Sequence, residues 1–237
     1  MEEEKATAYL SKKPLLHMDM LECIRRGEAE LLEVSDSGVL LRNEACGAVM
    51  MSAETEETAD RMLAGLGNEA LFVGHQEFYI GKARRRFGSQ EKRPCRQAVY
   101  LGRERLPERP GDVDIQPLGE EYLPFLMEHY SHADGADYMR ERLSSGAVFG
   151  AFAGGVPAGF IGIHGEGSMG MLEVLPQYRR RGIATALGTF LINRMLAEGR
   201  VPFSQIILGN EPSMALHRKF GFSISSGTVC WLIRFEN

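Results

Sequence analysis

Along EVLPQYRRRGIATAL, residues 173 to 187, the spacing of apolar residues changes period. The preceding MGMLEVLP reads as a strand. From Ile183 the residues Ile183, Ala184, Leu187, Leu191 and Met195 recur at three- and four-residue intervals, the mark of a helix with one buried face. Between them stand Arg179, Arg180, Arg181 and Gly182. A glycine turn feeding a helix leaves backbone N–H groups unpartnered at the positive end of the helix dipole, where an anion such as phosphate is favoured. Cations at that end cost about 0.3–1 kcal/mol each unless an anion is bound. The stretch therefore demands a strand–turn–helix unit and points to a local anion site, with a solvated basic helix start as the alternative.

The elements around this unit extend the pattern. Val113 to Pro117 reads as a strand, EEYLPFLMEHYS and ADYMRERLSSG as two helices, and AVFGAFAGG and VPAGFIGIHGEG as two strands joined at Gly154-Gly155. After the helix, which stops at Gly199, come a strand at FSQIIL, a short helix around SMALHRKF and a closing strand at TVCWLIRF. Strand, two helices, three strands, helix, strand, helix, strand is an α/β order with a mixed sheet.

A net charge of −5 over 237 residues provides no global basic field for a nucleic-acid backbone, so any anion site must be local. Cys23, Cys46, Cys95 and Cys230 lack the paired spacing of a zinc or dithiol site and read as reduced thiols. No apolar run reaches membrane length, and the start, MEEEKATAYL, has no apolar signal core. The expectation is a cytoplasmic protein with no metal, nucleic-acid or membrane partner; a homodimer stays open.

The pattern Arg179-x-x-Gly182-x-Ala184, preceded by Val174 and Pro176, resembles the acyl-CoA pyrophosphate loop of the GNAT N-acyltransferase superfamily, and NEPSMALHRKFGF resembles its second motif through Asn210, Ser213, Leu216, Gly221 and Phe222. The two together are similar to the branch of glycine N-acyltransferases and their FR47-like relatives. The resemblance covers about residues 113 to 237. It implies a GNAT fold in this half and acetyl-CoA or another short acyl-CoA as co-substrate. Free backbone groups of Leu172 and Val174 would bond the pantetheine arm. Arg179, Arg180, Arg181, Gly182, Ile183, Ala184 and Thr185 would bind the pyrophosphate, with Asn210 and Ser213 from the second motif. It further implies direct attack by a primary amine of a small molecule or amino acid on an acyl carbonyl polarised by a backbone N–H.

Glu173 is the first candidate for the base, and a carboxylate paired with a neighbouring arginine is its structural alternative. His164 and Glu166 are weaker candidates. His217 stands where many relatives carry a tyrosine that protonates the departing thiolate. A histidine can also donate a proton, or the thiolate can take one from water. A non-catalytic acyl-CoA-binding module is the alternative function.

The first half repeats the second. AELLEVSD, GVLLRNEA and GAVMMSA read as strands, EETADRMLAGL as a helix, ALFVGH as a strand, EFYIGKARRRFG as a helix and RQAVYLGR as a strand, with Phe87-Gly88 falling on Phe220-Gly221. Where the second half has arginines and glycine, this one has SAETEETAD, whose acids suit a helix dipole and repel pyrophosphate. Prolines, Gly111 and charges in RERLPERPGDVDIQPL place the boundary at about residue 110. Residues 1–110 are expected to form a degenerate, structural GNAT-like domain and residues 111–237 the catalytic one.

Overall fold

The computed structural model describes residues 1–108, 113–130 and 135–235. In the first half the elements run α1 (Glu2–Leu10), α2 (Met18–Arg25), β1 (Ala29–Ser35), β2 (Gly38–Asn43), β3 (Val49–Ala53), α3 (Glu56–Ala64), β4 (Leu71–Gly74), α4 (Ile80–Phe87) and β5 (Glu91–Val99). The second half follows as β6 (Asp114–Pro117), α5 (Leu123–His129), α6 (Ala136–Ser144), β7 (Val148–Ala153), β8 (Val156–Ile163), β9 (Met169–Val174), α7 (Ile183–Ala197), β10 (Phe203–Ile207), α8 (Glu211–Lys219), β11 (Ser223–Ile224) and β12 (Val229–Ile233). Helices α1 and α2, to which the sequence reading assigned nothing, extend the repeat, because they precede β1 as α5 and α6 precede β7. Both halves also carry a helix that ends at Phe-Gly, with Gly88 at φ 62° and Gly221 at φ 84°, the left-handed turn that glycine allows. Among the described residues no helix is long and apolar enough to cross a membrane.

The chain divides into two compact units, Met1–Tyr100 with Gln205–Asn237, and Leu101–Ser204. The boundary expected at about residue 110 lies at residues 109–112, outside the described residues. The units nevertheless differ from a division into 1–110 and 111–237, and the reason is an exchange of strands. The sheet of the first unit runs β1-β2-β3-β4-β12-β5-β10, with β11 also on β5. Strand β12, which closes the second half, lies antiparallel between β4 (Trp231 opposite Val73) and β5 (Trp231 opposite Arg93). Strand β5, which closes the first half, takes β10, β11 and β12 as neighbours. Apolar β12 residues Val229, Cys230, Leu232 and Ile233 are buried there.

In the same unit β3 and β4 are parallel, Val49 opposite Phe72 through Met51 opposite Gly74. The pairing continues past the strand end, where His75 N–H donates to the Met51 carbonyl (3.1 Å) and Ala53 N–H to Gln76 Oε1 (2.9 Å). Helix α3 begins at Thr55, whose Oγ1 accepts from Thr58 N–H, with Glu56 and Glu57 in its first turn. A buried polar network crosses the unit. The imidazole Nε2 of His75 lies 2.9 Å from Asp19 Oδ1, and its Nδ1 lies 2.9 Å from the Met51 carbonyl. Asp19 Oδ2 also accepts from Gln205 Nε2 (3.0 Å). Next to it His17 bonds the Leu10 carbonyl through Nδ1 and Ser52 Oγ through Nε2. Asp19 holds the pKa of His75 above the ordinary value, whereas burial and then His75 push that of His17 down to about 4.

The second unit is an antiparallel four-stranded sheet, β6-β7-β8-β9. Helices α5 and α6 cover one face through Leu126, Met139 and Leu143, which cluster with Val148, Phe152, Phe160 and Met171. Helix α7 packs through Phe190, whose ring lies 5.1 Å from that of Phe149. Asn193 of α7 clamps the connecting segment, accepting from Leu106 N–H (2.7 Å) and donating to its carbonyl (2.9 Å).

Candidate active site

Strand β9 is the edge strand of its sheet, so one row of its backbone groups has no strand partner there. Its register with β8 shifts between Phe160 and Gly162, and opposite that shift Met171 takes φ 52°. A non-glycine residue in this conformation inside a strand marks a bulge, which redirects the local backbone groups. Leu172, Glu173 and Val174 follow, all half-buried.

After Val174 the chain makes a short 3₁₀ turn at Pro176–Tyr178, and Gly182 caps α7 at φ 84°, ψ 0°, with no side-chain cap and no acid in the first turn. A Cβ at Gly182 would meet nothing within 4 Å. No side chain caps this helix start, which is the positive end of the α7 dipole, and there is open space beside the Gly182 Cα. Ile183 is buried and anchors the helix, while Ala184 and Thr185 are half-buried. The three arginines have separate fates. Arg179 donates to Glu173 Oε1 (3.1 Å) and to the Val174 carbonyl (2.9 Å), and Arg181 lies over the Tyr178 ring at 5.5 Å. Arg180, exposed and at φ 64°, has no ion pair among the described residues.

The other expected site residues lie on α8, in the first unit. Asn210 is the N-cap, its Oδ1 accepting from Ser213 N–H at 3.1 Å. Nδ1 of His217 lies 2.8 Å from the Ser213 carbonyl, and its ring packs edge-on against Phe222 at 4.9 Å. Because a carbonyl only accepts, Nδ1 carries the hydrogen. Burial lowers the pKa of His217, so near neutral pH the ring is uncharged and Nε2 presents a lone pair rather than a proton. Glu166 is buried and takes a hydrogen bond from Ser168 Oγ (2.5 Å), while Nδ1 of His164 lies 2.8 Å from the Tyr138 hydroxyl. The bulge at Met171 and the Tyr138–His164 contact were not foreseen, and neither has a signal in the sequence.

The family model described as Acetyltransferase (GNAT) family matches residues 115–222. No curated protein matches the chain. Among solved structures, a Drosophila protein is similar at a TM-score of 0.71 and 14% identity, over 98% of this chain and 96% of that one. A GCN5-related N-acetyltransferase from Kribbella flavida is similar at a TM-score of 0.55 and 12% identity, over 94% and 96%. A putative GNAT-family acetyltransferase from Novosphingobium aromaticivorans gives 0.54 and 17%, over 94% and 98%. At these identities the likeness is one of fold, and its extent takes in the first half as well as the second.

Proposed function

Residues 115–222 belong to the GNAT acetyltransferase family, and on that premise we propose that the chain transfers an acetyl or other short acyl group from acyl-CoA to a primary amine of a small molecule or amino acid. The observation that carries the reading is the uncapped start of α7 at Gly182, following directly on the unpaired edge of β9. Diphosphate would lie on the amides of Gly182 to Thr185 with Arg180 adding charge, and the pantetheine amides would pair with β9 around Leu172 and Val174. In this reading a backbone N–H beside the bulge at Met171 would stabilise the charge that develops on the acyl oxygen during attack.

Glu173 holds Arg179 in this account, and His217 packs α8 against Phe222. The leaving thiolate takes its proton from solvent. The first half binds no CoA in this reading. Its equivalent of the open edge is closed by Met51 and Gln76, and its equivalent of the loop leads into Glu56 and Glu57. Release of free thiol from acetyl-CoA in the presence of amines tests the proposal, and binding without release would indicate an acyl-CoA-binding module instead.

A further inference from the structure

The second unit holds a histidine, His164, that is held at Nδ1 by a tyrosine hydroxyl and packed along its Nε2–Cδ2 edge against a glycine of β9. His164 follows β8, and its Nδ1 is held at 2.8 Å by the hydroxyl of Tyr138 on α6 with the two rings stacked, centroids 6.2 Å apart. The imidazole lies against Gly170 of β9, where an added Cβ would come within 2.3 Å of Nε2 and 2.5 Å of Cδ2. Only glycine leaves room for the ring in this position. The next residue is Met171, which makes the bulge and packs among the α5 and α6 residues. Its contact with Tyr138 places the ring on the α6 side of β9, and Gly170 places it next to Met171, where the backbone bulges. His164 is half-buried, and among the described residues Nε2 has no hydrogen-bond partner.

We propose that Nε2 of His164 is the base that accepts the proton of the acceptor amine, with Tyr138 as its positioning residue. The inference rests on the acyltransferase reading. The incoming ammonium gives one proton to Nε2, and the freed lone pair forms the C–N bond with the acyl carbon. The C–S bond then breaks with its electron pair on sulfur. The second nitrogen proton passes through water to the thiolate, and His164 returns its proton to solvent. Glu173 is less suited to the task because its carboxylate is engaged by Arg179.

The ionisable groups around His164 are the Tyr138 phenol, the buried Glu166 held by Ser168, and Arg142, which interacts with both Tyr138 and Glu166 and pairs with Glu141. Arg200 donates to the Gly167 carbonyl in the same turn, and Glu173 stands further along β9, opposite Phe160. Any pH response must be read against these.

The test combines turnover with a direct view of the ring. With acetyl-CoA and a panel of glycine, lysine, spermidine and phenethylamine, His164→Gln should lower kcat about 100-fold or more while calorimetric acetyl-CoA affinity is unchanged. The rise of rate with pH should disappear. Tyr138→Phe should keep part of the rate and displace that rise, which a residue of merely structural importance would not do. Gly170→Ala should resemble His164→Gln by displacing the ring. In the whole protein, imidazole NMR should show His164 losing its proton over the range in which the rate rises.

A His164→Gln protein that turns over within about threefold of wild type with the same pH profile overturns the assignment while leaving the acyltransferase reading intact. An imidazole in one protonation state wherever the fold is intact overturns it whichever amine is accepted. Absence of turnover by wild type, by contrast, counts against the acyltransferase reading.

Discussion

Arg179 folds back on the strand that precedes it, its guanidinium donating to Glu173 Oε1 at 3.1 Å and to the Val174 carbonyl at 2.9 Å. The arginine is more than half exposed and Glu173 about a quarter, so the pair itself is worth at most about 1 kcal/mol. Its importance is local, since it fixes where the chain leaves β9 for the loop. Glu173→Gln should weaken acetyl-CoA binding by up to about fivefold and leave kcat within about threefold of wild type. Calorimetry and steady-state rates measured together check this. A large fall in kcat at unchanged affinity would make Glu173 the base.

The exchange of β5 and β12 bears on whether the halves are separable. A chain beginning at Gly111 would lack β4 and β5, the partners of β12, and would expose the buried side chains of Cys230, Leu232 and Ile233. Such a chain should aggregate when expressed alone. Co-expression with residues 1–110 should recover soluble protein by restoring the strand neighbours. Size-exclusion chromatography distinguishes this from a soluble, monomeric fragment, which would mean that the exchanged strands are dispensable.

His17 and His75 lie 5.4 Å apart between ring centroids and are shifted in opposite directions. A histidine with a raised folded pKa contributes stability that is full below its unfolded value, about 6.5, and is lost as pH rises through the folded value. His75 is of this kind. His17, lowered to about 4, must remain neutral, so stability falls as the pH drops from about 6.5 toward that value. His17→Asn should flatten the acid side of the stability profile. His75→Gln should lower stability by about 3–5 kcal/mol near pH 6, because Asp19 stays buried without its partner. Denaturant unfolding at a series of pH values measures both, and unchanged profiles would contradict the network.

The legible parts of this fold were those encoded by period and by turn chemistry. The change of spacing at Ile183 and the glycine at 182 each have a local physical cause, and the structure places both where that cause requires. Strand exchange was not legible, because alternation along β12 tells which faces are buried but not which strand lies alongside. Asp19, His75 and Gln205 are separated by 56 and 130 residues, and single polar residues so far apart carry no sequence signal of their meeting. The bulge at Met171 was hidden because methionine has no preference for positive φ. Helix α1 was obscured by its weakly amphipathic, acid-rich composition, and α2 is only eight residues long.

His217 separates two fates for the leaving group. With Nδ1–H on the Ser213 carbonyl and a pKa lowered by burial, the neutral ring has no proton to give from Nε2. His217→Phe should therefore turn over within about threefold of wild type near pH 7.5. A loss of about 100-fold at unchanged acetyl-CoA affinity would show a general acid instead. In that case the wild-type rate should fall as pH rises through the lowered value, and His217→Tyr should move that fall upward.

The central claim is that this chain moves an acyl group from CoA, bound at the start of α7, to an amine, and free-thiol release from acetyl-CoA measures it most directly. Wild type should release thiol only when an amine is present, in proportion to the acylated amine found by mass spectrometry. Gly182→Val should weaken acetyl-CoA binding at least about tenfold, or 1.4 kcal/mol, since a β-branched residue strains at φ 84° and crowds the amides that meet the diphosphate. Acetyl-CoA binding of unchanged affinity in Gly182→Val, or binding by wild type with no amine-dependent thiol release, would contradict the account.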